Sequence, residues 1–303
     1  MFKALLAFLF CATVTAAPAV AQDRVTLGYA RLFSNDALGD TKDRWRSGSY
    51  MVSRLRGPRW DGVLPAAFGE ILEFRLRSEI VAPADLIQPD PGDRRYAGIL
   101  AFGLHSHFAV AKAEASIGAE LVFTGPQTHI GAFQREVHEF FSLQTPTVLG
   151  NQIPNRVYPT LRGEIGRTYH LGETIALRPF AEGQAGIETF VRVGGDMVIG
   201  GFGNGALLVR DTVTGQRAEG ISGTDGAGFS FTLGGDIARV FDSALLPAGG
   251  AAVLSDTRSR LRAGMNWQGE KSEVFYGVTL LGKEYDGQSA DQLVGSLRLR
   301  LRF

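Results

Sequence analysis

Cysteine is almost absent from this sequence. The one cysteine among 303 residues, Cys11, lies in an N-terminal stretch that has a basic start, an apolar run and the small-residue ending AVA. This order is typical of a secretory signal peptide, and we expect residues 1–21 to be removed by cleavage after Ala21. The mature chain would then have no cysteine, which excludes disulfides, thiol catalysis and cysteine metal sites.

The sequence also lacks an excess of charge and, after the leader, any long apolar run. The 31 basic side chains balance the 31 acidic ones, so the charge gives no reason to expect nucleic acid as a partner. No later run approaches the roughly 20 apolar residues that a transmembrane helix needs, whereas membrane-spanning strands remain open. The G-x-S-x-G, H-E-x-x-H, Walker and Rossmann motifs are missing as well.

Apolar and polar residues alternate in segments along the whole sequence. Twelve segments, an even number, show this period of two and are separated by glycine-rich turns. Together with the leader, they predict an all-β fold: a transmembrane antiparallel β-barrel of about twelve strands that forms one domain over residues 22–303. The segments are 25–33, 49–56, 70–80, 96–110, 111–123, 160–171, 174–186, 188–200, 229–241, 258–268, 272–282 and 293–303.

The last segment, SLRLRLRF, is cationic on one face and apolar on the other. In a soluble sandwich it would be an edge strand with its arginines in water. In a barrel, Leu297, Leu299, Leu301 and Phe303 would face lipid, and Arg298, Arg300 and Arg302 would pair with acidic residues in the lumen. The other segments favour the barrel.

Three stretches interrupt the alternation. Residues 57–69 and 82–95 are proline-containing loops that we expect on the extracellular side. In the longest interruption, 124–159, the apolar spacing of GAFQREVHEFFSL predicts a short amphipathic helix over 131–143. A helix inserted into a barrel wall favours a function other than passage, so we look for chemistry there.

Five histidines could carry chemistry: His105, His107, His129, His138 and His170. His105 and His107 share a strand face, which is typical of a polar lumen row and, less often, of a metal site, and His170 is interpreted as a turn residue. His138 follows Gln134 by four residues on the predicted helix, so the two side chains share a face. A neutral imidazole there can activate water, although a purely structural histidine is the alternative.

The stretch 32–48, between the first two segments, is rich in oxygen ligands. Asn35, Asp36, Asp40 and Asp43 have the composition that suits calcium. Their spacing is not that of an EF-hand, and a merely solvated acidic hairpin is the alternative.

Three segments, in this order, resemble one family. They are the Asn35-Asp36 pair with the hairpin DRWRSG (43–48), the stretch IVAPADL…RRYAG (80–98), and TGPQTHIGAFQREVHEFF (124–141) with its Gln-x-x-x-His helix. This pattern is similar to that of the outer-membrane lipid A 3′-O-deacylases of the LpxR type. Their fold, a twelve-stranded barrel with the active site in the wall near the outer leaflet, is what the resemblance implies here.

The resemblance further implies a calcium-dependent carboxylic ester hydrolase that removes an acyl chain from lipid A. Carried over by position, His138 would deprotonate the attacking water, and Asn35 and Asp36 would hold Ca²⁺ or orient its ligands. Ser47 would stand for the family's hydroxyl, and Gln134 would orient the imidazole or contact substrate. The implied partners are lipopolysaccharide and the outer membrane. We expect a monomer that binds neither nucleic acid nor another protein.

The sequence departs from the family pattern in three places. Trp45-Arg46-Ser47 replaces the usual Tyr-Thr of the first hairpin, the segment after the helix has no tryptophan, and neither Lys42 nor Lys112 lies in a motif that matches the family's active-site lysine. The alternatives are therefore a channel-type barrel and a non-catalytic binding barrel that keep the family architecture.

Overall fold

The computed structural model describes residues 23–223 and 226–301, and in that part of the chain twelve antiparallel strands close into one barrel. Each strand pairs with the next along the chain, and β1 closes the barrel by pairing with β12 through Asn35 and Gly295. The predicted fold class and strand number are thus confirmed. The predicted leader cleavage after Ala21, together with Arg302 and Phe303, lies outside the described residues. The strands are β1 Val25–Asn35, β2 Trp45–Gly57, β3 Ile71–Ala82, β4 Ala97–Val110, β5 Ala113–Thr124, β6 Arg156–Gly166, β7 Ile175–Ala185, β8 Glu188–Ile199, β9 Gly228–Ser243, β10 Thr257–Gln268, β11 Ser272–Leu281 and β12 Gln292–Leu301.

Shorter elements occupy the connections. The helix α1, Ile130–Phe140, confirms the helix predicted over 131–143. Of the helices in the described ranges, none combines the length and the apolar character that crossing a bilayer requires. The remaining elements are the 3₁₀ turns Asp36–Leu38, Pro126–Thr128 and Val148–Asn151 and the short strands Tyr169–Leu171, Leu207–Arg210, Arg217–Ile221, Val253–Leu254 and Tyr285–Asp286.

The expectation that loops 57–69 and 82–95 share one side of the membrane is wrong. These loops flank the single strand β3, so they lie at opposite ends of the barrel. The first loop lies at the end where β1 begins, because Arg24 donates to the carbonyl of Gly69 at 2.7 Å. We call this the terminal end, and the other, which carries α1, the helix end.

The outer surface of the barrel is an apolar band. Along β12, Leu297, Leu299 and Leu301 are exposed, whereas Arg298 is buried and pairs with Glu273. The lipid-facing leucines and inward arginine predicted for this segment are therefore observed. An exposed apolar band of this kind is the surface that a barrel presents to acyl chains.

Charged side chains of opposite sign fill the lumen and contact one another. Asp236 alone contacts three guanidinium groups, those of Arg192 at 3.1 Å, Arg260 at 2.9 Å and Arg262. Buried charges of either sign are tolerated when they are paired in this way. The two strand histidines belong to the same network, since His105 lies 3.1 Å from Glu120 and His107 lies 2.7 Å from Glu73. They form a polar lumen row, as one interpretation of the sequence predicts.

A hairpin between β8 and β9 folds back into the barrel. Its strands, Leu207–Arg210 and Arg217–Ile221, place apolar side chains against Leu32 and Met51. From the same hairpin, Arg210 reaches Glu164 across the lumen at 2.7 Å. The hairpin therefore spans the lumen, and this arrangement is unlike the open pore that a channel requires.

The Asp236 cluster gives a test of what holds the barrel together. Asp236→Ala would leave three buried arginines without their shared carboxylate, and we expect it to lower the free energy of unfolding by about 3–5 kcal/mol. Urea unfolding in vesicles measures the loss. The neighbouring Ile237→Ala, on the exposed outer face, is the matched control with a smaller expected loss. Equal losses would contradict the assigned role of the network.

Candidate active site

The predicted site residues gather on the outer face of the barrel wall at the helix end. Tyr29 and Phe33 of β1 are exposed, and the two-residue period places Asn35 on the same outer face. Asn35 pairs with Gly48 of β2, and this row continues through Ile80 to Gly98 of β4. The site is thus built on the membrane-facing side of the wall and not in the lumen.

The helix α1 covers this row because the wall has no side chain where the helix begins. A Cβ atom at Gly98 would lie 2.9 Å from both Ile130 Cβ and Thr128 Oγ1. Glycine at this position therefore permits close approach of the helix to the sheet. The face of α1 turned toward the wall carries Gln134 and His138, both buried.

The ring of His138 is fixed at both nitrogens. Its Nδ1 lies 2.7 Å from the carbonyl oxygen of Gln144, and its Nε2 lies 2.9 Å from Oδ2 of Asp43. Since a carbonyl accepts only, Nδ1 carries a proton, and the contact of Nε2 with the carboxylate is a hydrogen bond only when Nε2 carries a proton as well. The Asp43 carboxylate beside Nε2 stabilises the ring when it is protonated there.

Asp43 is the point where the predicted residues meet. Ser47 donates a hydrogen bond to its Oδ1, and the Gln134 amide nitrogen lies 3.4 Å from both carboxylate oxygens. Sequence reasoning named Asp43 only as a possible calcium ligand and missed its contact with His138. The two residues lie 95 positions apart, and no local pattern connects them.

Asn35 and Asp36 lie at the start of the first loop at the helix end. The Asn35 side chain accepts a hydrogen bond from the Ala37 amide at 2.8 Å and so caps the 3₁₀ turn that follows β1. Asp36 is buried, and its Oδ2 accepts from the Arg44 amide at 2.9 Å. Burial raises the pKa of Asp36 to about 8, with help from the charge of Asp43 and against the opposing effect of the Arg44 amide.

The Asp36 carboxyl fits the calcium that the resemblance implies. It has no cationic side chain as partner among the residues described, so a bound cation would offset the cost of burying its charge. Within 23–223 and 226–301, however, there is no cluster of three or more His, Cys, Asp or Glu side chains suited to a metal. Further ligands would have to be amide or backbone oxygens, water or substrate.

A buried hydroxyl beside the site has no partner among the described residues. It belongs to Tyr96, the residue before β4, which sequence reasoning noted only as part of the RRYAG motif. Burial and the charge of Asp43 both raise the pKa of Tyr96, so the hydroxyl keeps its proton and remains a donor. Gln134 Oε1 is likewise buried without a partner in the described part of the chain. Of the two remaining histidines, His129 directly precedes α1, and His170 lies away from the site in the exposed strand Tyr169–Leu171.

Comparison with known proteins identifies relatives of the whole chain. The family model described as "Outer membrane protein LpxR" matches residues 6–303. Among solved structures, LpxR from Salmonella typhimurium superposes with a TM-score of 0.76 at 15% identity over 91% of this chain and 100% of that chain. A sequence search of curated proteins finds no match.

Two porins are less similar to this chain. A KdgM porin has a TM-score of 0.39 at 7% identity over 91% of this chain and 98% of its own, and a NanC porin has 0.41 at 5% identity over 91% and 100%. TM-scores this low give no basis for inferring function from these porins.

The pKa of Asp36 predicts how stability depends on pH. Between its ordinary pKa of 3.8 and about 8, the folded chain keeps a proton that the unfolded chain has lost. Stability is therefore greatest below this window and falls as pH rises through it, by at most about 1.4 kcal/mol per pH unit. The Asp36→Asn variant should lack this dependence of stability on pH. The measurement is the urea concentration at the midpoint of unfolding, in the presence of a calcium chelator. The control Asp291→Asn, on an exposed loop, should keep the dependence; a slope unchanged in Asp36→Asn would contradict the assignment.

Proposed function

The chain belongs to the LpxR family of outer-membrane proteins, and we propose that it hydrolyses an ester-linked acyl chain of lipid A. The observation that carries the proposal is the His138–Asp43 pair, held between the outer wall and α1 at 2.9 Å. A base on the membrane-facing side of a barrel lies where a membrane lipid can reach it. A site for a water-soluble substrate would open to the lumen or to the solvent.

In the proposed reaction, the attacking water takes the place of the Asp43 oxygen beside the unprotonated Nε2 of His138, and that nitrogen accepts the proton of the water. The water oxygen bonds to the acyl carbon, the bond from that carbon to the lipid A oxygen breaks, and the protonated ring returns its proton to the departing alkoxide. The Gln144 carbonyl keeps the proton on Nδ1, and Asp43 stabilises the imidazolium as it forms.

Donors around the base have supporting roles. The Tyr96 hydroxyl, which has no partner in the described part of the chain, is suited to donate to the acyl oxygen as negative charge develops on it. One such donor contributes about 2.7–4 kcal/mol of transition-state stabilisation. Ser47 and Gln134 both contact Asp43 and would hold that carboxylate in place. Ser47 is therefore assigned a positioning role rather than that of a nucleophile.

Asp36 and Asn35 are the residues we propose for Ca²⁺. The burial of Asp36 without a cationic partner among the described residues supports its assignment, and Asn35 adjoins it with an amide oxygen. When bound, Ca²⁺ supplies a positive charge that stabilises an oxyanion. The proton on Asp36 must leave before the metal binds, so affinity should rise with pH.

Mass spectrometry of lipid A from cells that express the protein tests the activity. The wild type should remove an acyl or acyloxyacyl group, and His138→Ala should lower the rate by about 10²–10⁴-fold because the base is lost. Asp43→Asn, which keeps the shape but not the charge, should also be impaired. Glu139→Ala, on the exposed side of the same helix, is the matched control and should be unaffected. Unchanged lipid A with folded, inserted wild-type protein would overturn the proposal.

Calcium is tested by activity and by stability together. Chelator should abolish hydrolysis, and added Ca²⁺ should raise the unfolding temperature more at about pH 9 than at about pH 6, since Asp36 must ionise to bind it. Asp36→Asn should lose both effects, whereas Asp291→Asn should retain them. Activity that persists in chelator, or a Ca²⁺ shift that persists in Asp36→Asn, would show that the metal assignment is wrong.

A further inference from the structure

The exposed surface of α1 is divided into two unlike sides. With Gln134 and His138 turned toward the wall, one exposed side is charged and carries Arg135 and Glu139, and Glu136 lies at its border with the other side. The other side is aromatic. It comprises Phe133 and Phe140 together with Phe141, the residue that caps the helix, and we call these three residues the aromatic face.

The aromatic face makes little contact with the rest of the protein. Phe140 is 82% exposed, Phe141 is 65% exposed and Phe133 is 59% exposed. Phe140 and Phe141 pack edge to face on each other, with ring centroids 5.0 Å apart. The helix turns polar residues toward the protein and aromatic residues away from it, which is the reverse of the usual pattern for a helix that packs on a core in water. It is the pattern of a helix whose outer surroundings are apolar.

The aromatic face continues a surface that already meets the membrane. The helix begins against the outer side of β4, where Ile130 lies over Gly98. The same strand and its neighbour β3 expose Phe102 and Phe74 on their outer faces, within the apolar band. The helix thus lies at the edge of the lipid-facing band, on strands that expose aromatic side chains of that band.

We propose that the aromatic face inserts among the acyl chains of the outer leaflet and anchors the helix that carries His138 at the membrane surface. The charged side of α1 would then face the lipid headgroups and water. This inference rests on the position of the barrel in the outer membrane. It extends the proposed function by one step, because the acyl chain would then reach His138 laterally from the leaflet. It does not depend on whether His138 turns over substrate.

Site-directed spin labelling tests the anchor, because Cys11 is the only cysteine in the sequence and Cys11→Ser provides a clean background. Labels are placed through Phe140→Cys and Phe133→Cys on the aromatic face, Arg135→Cys on the charged side as the matched control, and Phe102→Cys in the band as the lipid reference. The protein is reconstituted in vesicles of phosphatidylcholine and phosphatidylglycerol. Relaxation is measured with oxygen, which concentrates in acyl chains, and with a water-soluble nickel complex.

The labels at 140 and 133 should match the label at 102, with high oxygen and low nickel accessibility, and the label at 135 should show the reverse. Nickel accessibility at 140 and 133 equal to that at 135 would overturn the proposal, since the aromatic face would then lie in water. Low accessibility to both reagents would also overturn it, because a second copy of the chain would then cover the face. The measurement needs no turnover, so failure of the anchor and failure of the proposed hydrolase are distinguishable.

Discussion

The pairing of buried charges in the lumen is the constraint on which the rest of this structure depends. Arginines and carboxylates occupy the inner faces of the strands, and each needs its partners there because an unpaired buried charge is strongly destabilising. The in-folded hairpin adds Arg210 to the same network. These paired charges fill the lumen. The polar residues of the candidate site lie on the opposite, outer face of the barrel wall.

Strand β2 shows how closely the two sides are connected. Arg46 reaches inward to Glu284 at 2.8 Å and to Glu79, and the next residue, Ser47, donates to Asp43 beside His138. A bulge between Arg46 and Gly48 allows consecutive residues to serve both. The lumen network therefore also fixes the strand on which the site is built, and α1 completes the site from the lipid side with His138.

Much of the fold could be predicted from the sequence because its signals are local. A period of two identifies every barrel strand, and the spacing of Gln134 and His138 identifies the buried face of α1. What could not be predicted depends on contacts between distant residues. Asp43 meets His138 only once the barrel has closed and the helix has folded over it. Strands as short as Leu207–Arg210 carry too little pattern to be recognised. The placement of loops 57–69 and 82–95 at opposite ends, by contrast, already follows from an antiparallel barrel with a single strand between them.

The central claim is that water, activated by His138 on the outer wall, attacks the acyl carbon of a lipid A ester. The most direct test is hydrolysis by the purified, reconstituted protein in water enriched in ¹⁸O, with mass spectrometry of both products. We expect ¹⁸O in the released fatty acid, none in the new hydroxyl of lipid A, and no release by folded His138→Ala. Label in the lipid A hydroxyl, or undiminished release by His138→Ala, would contradict it.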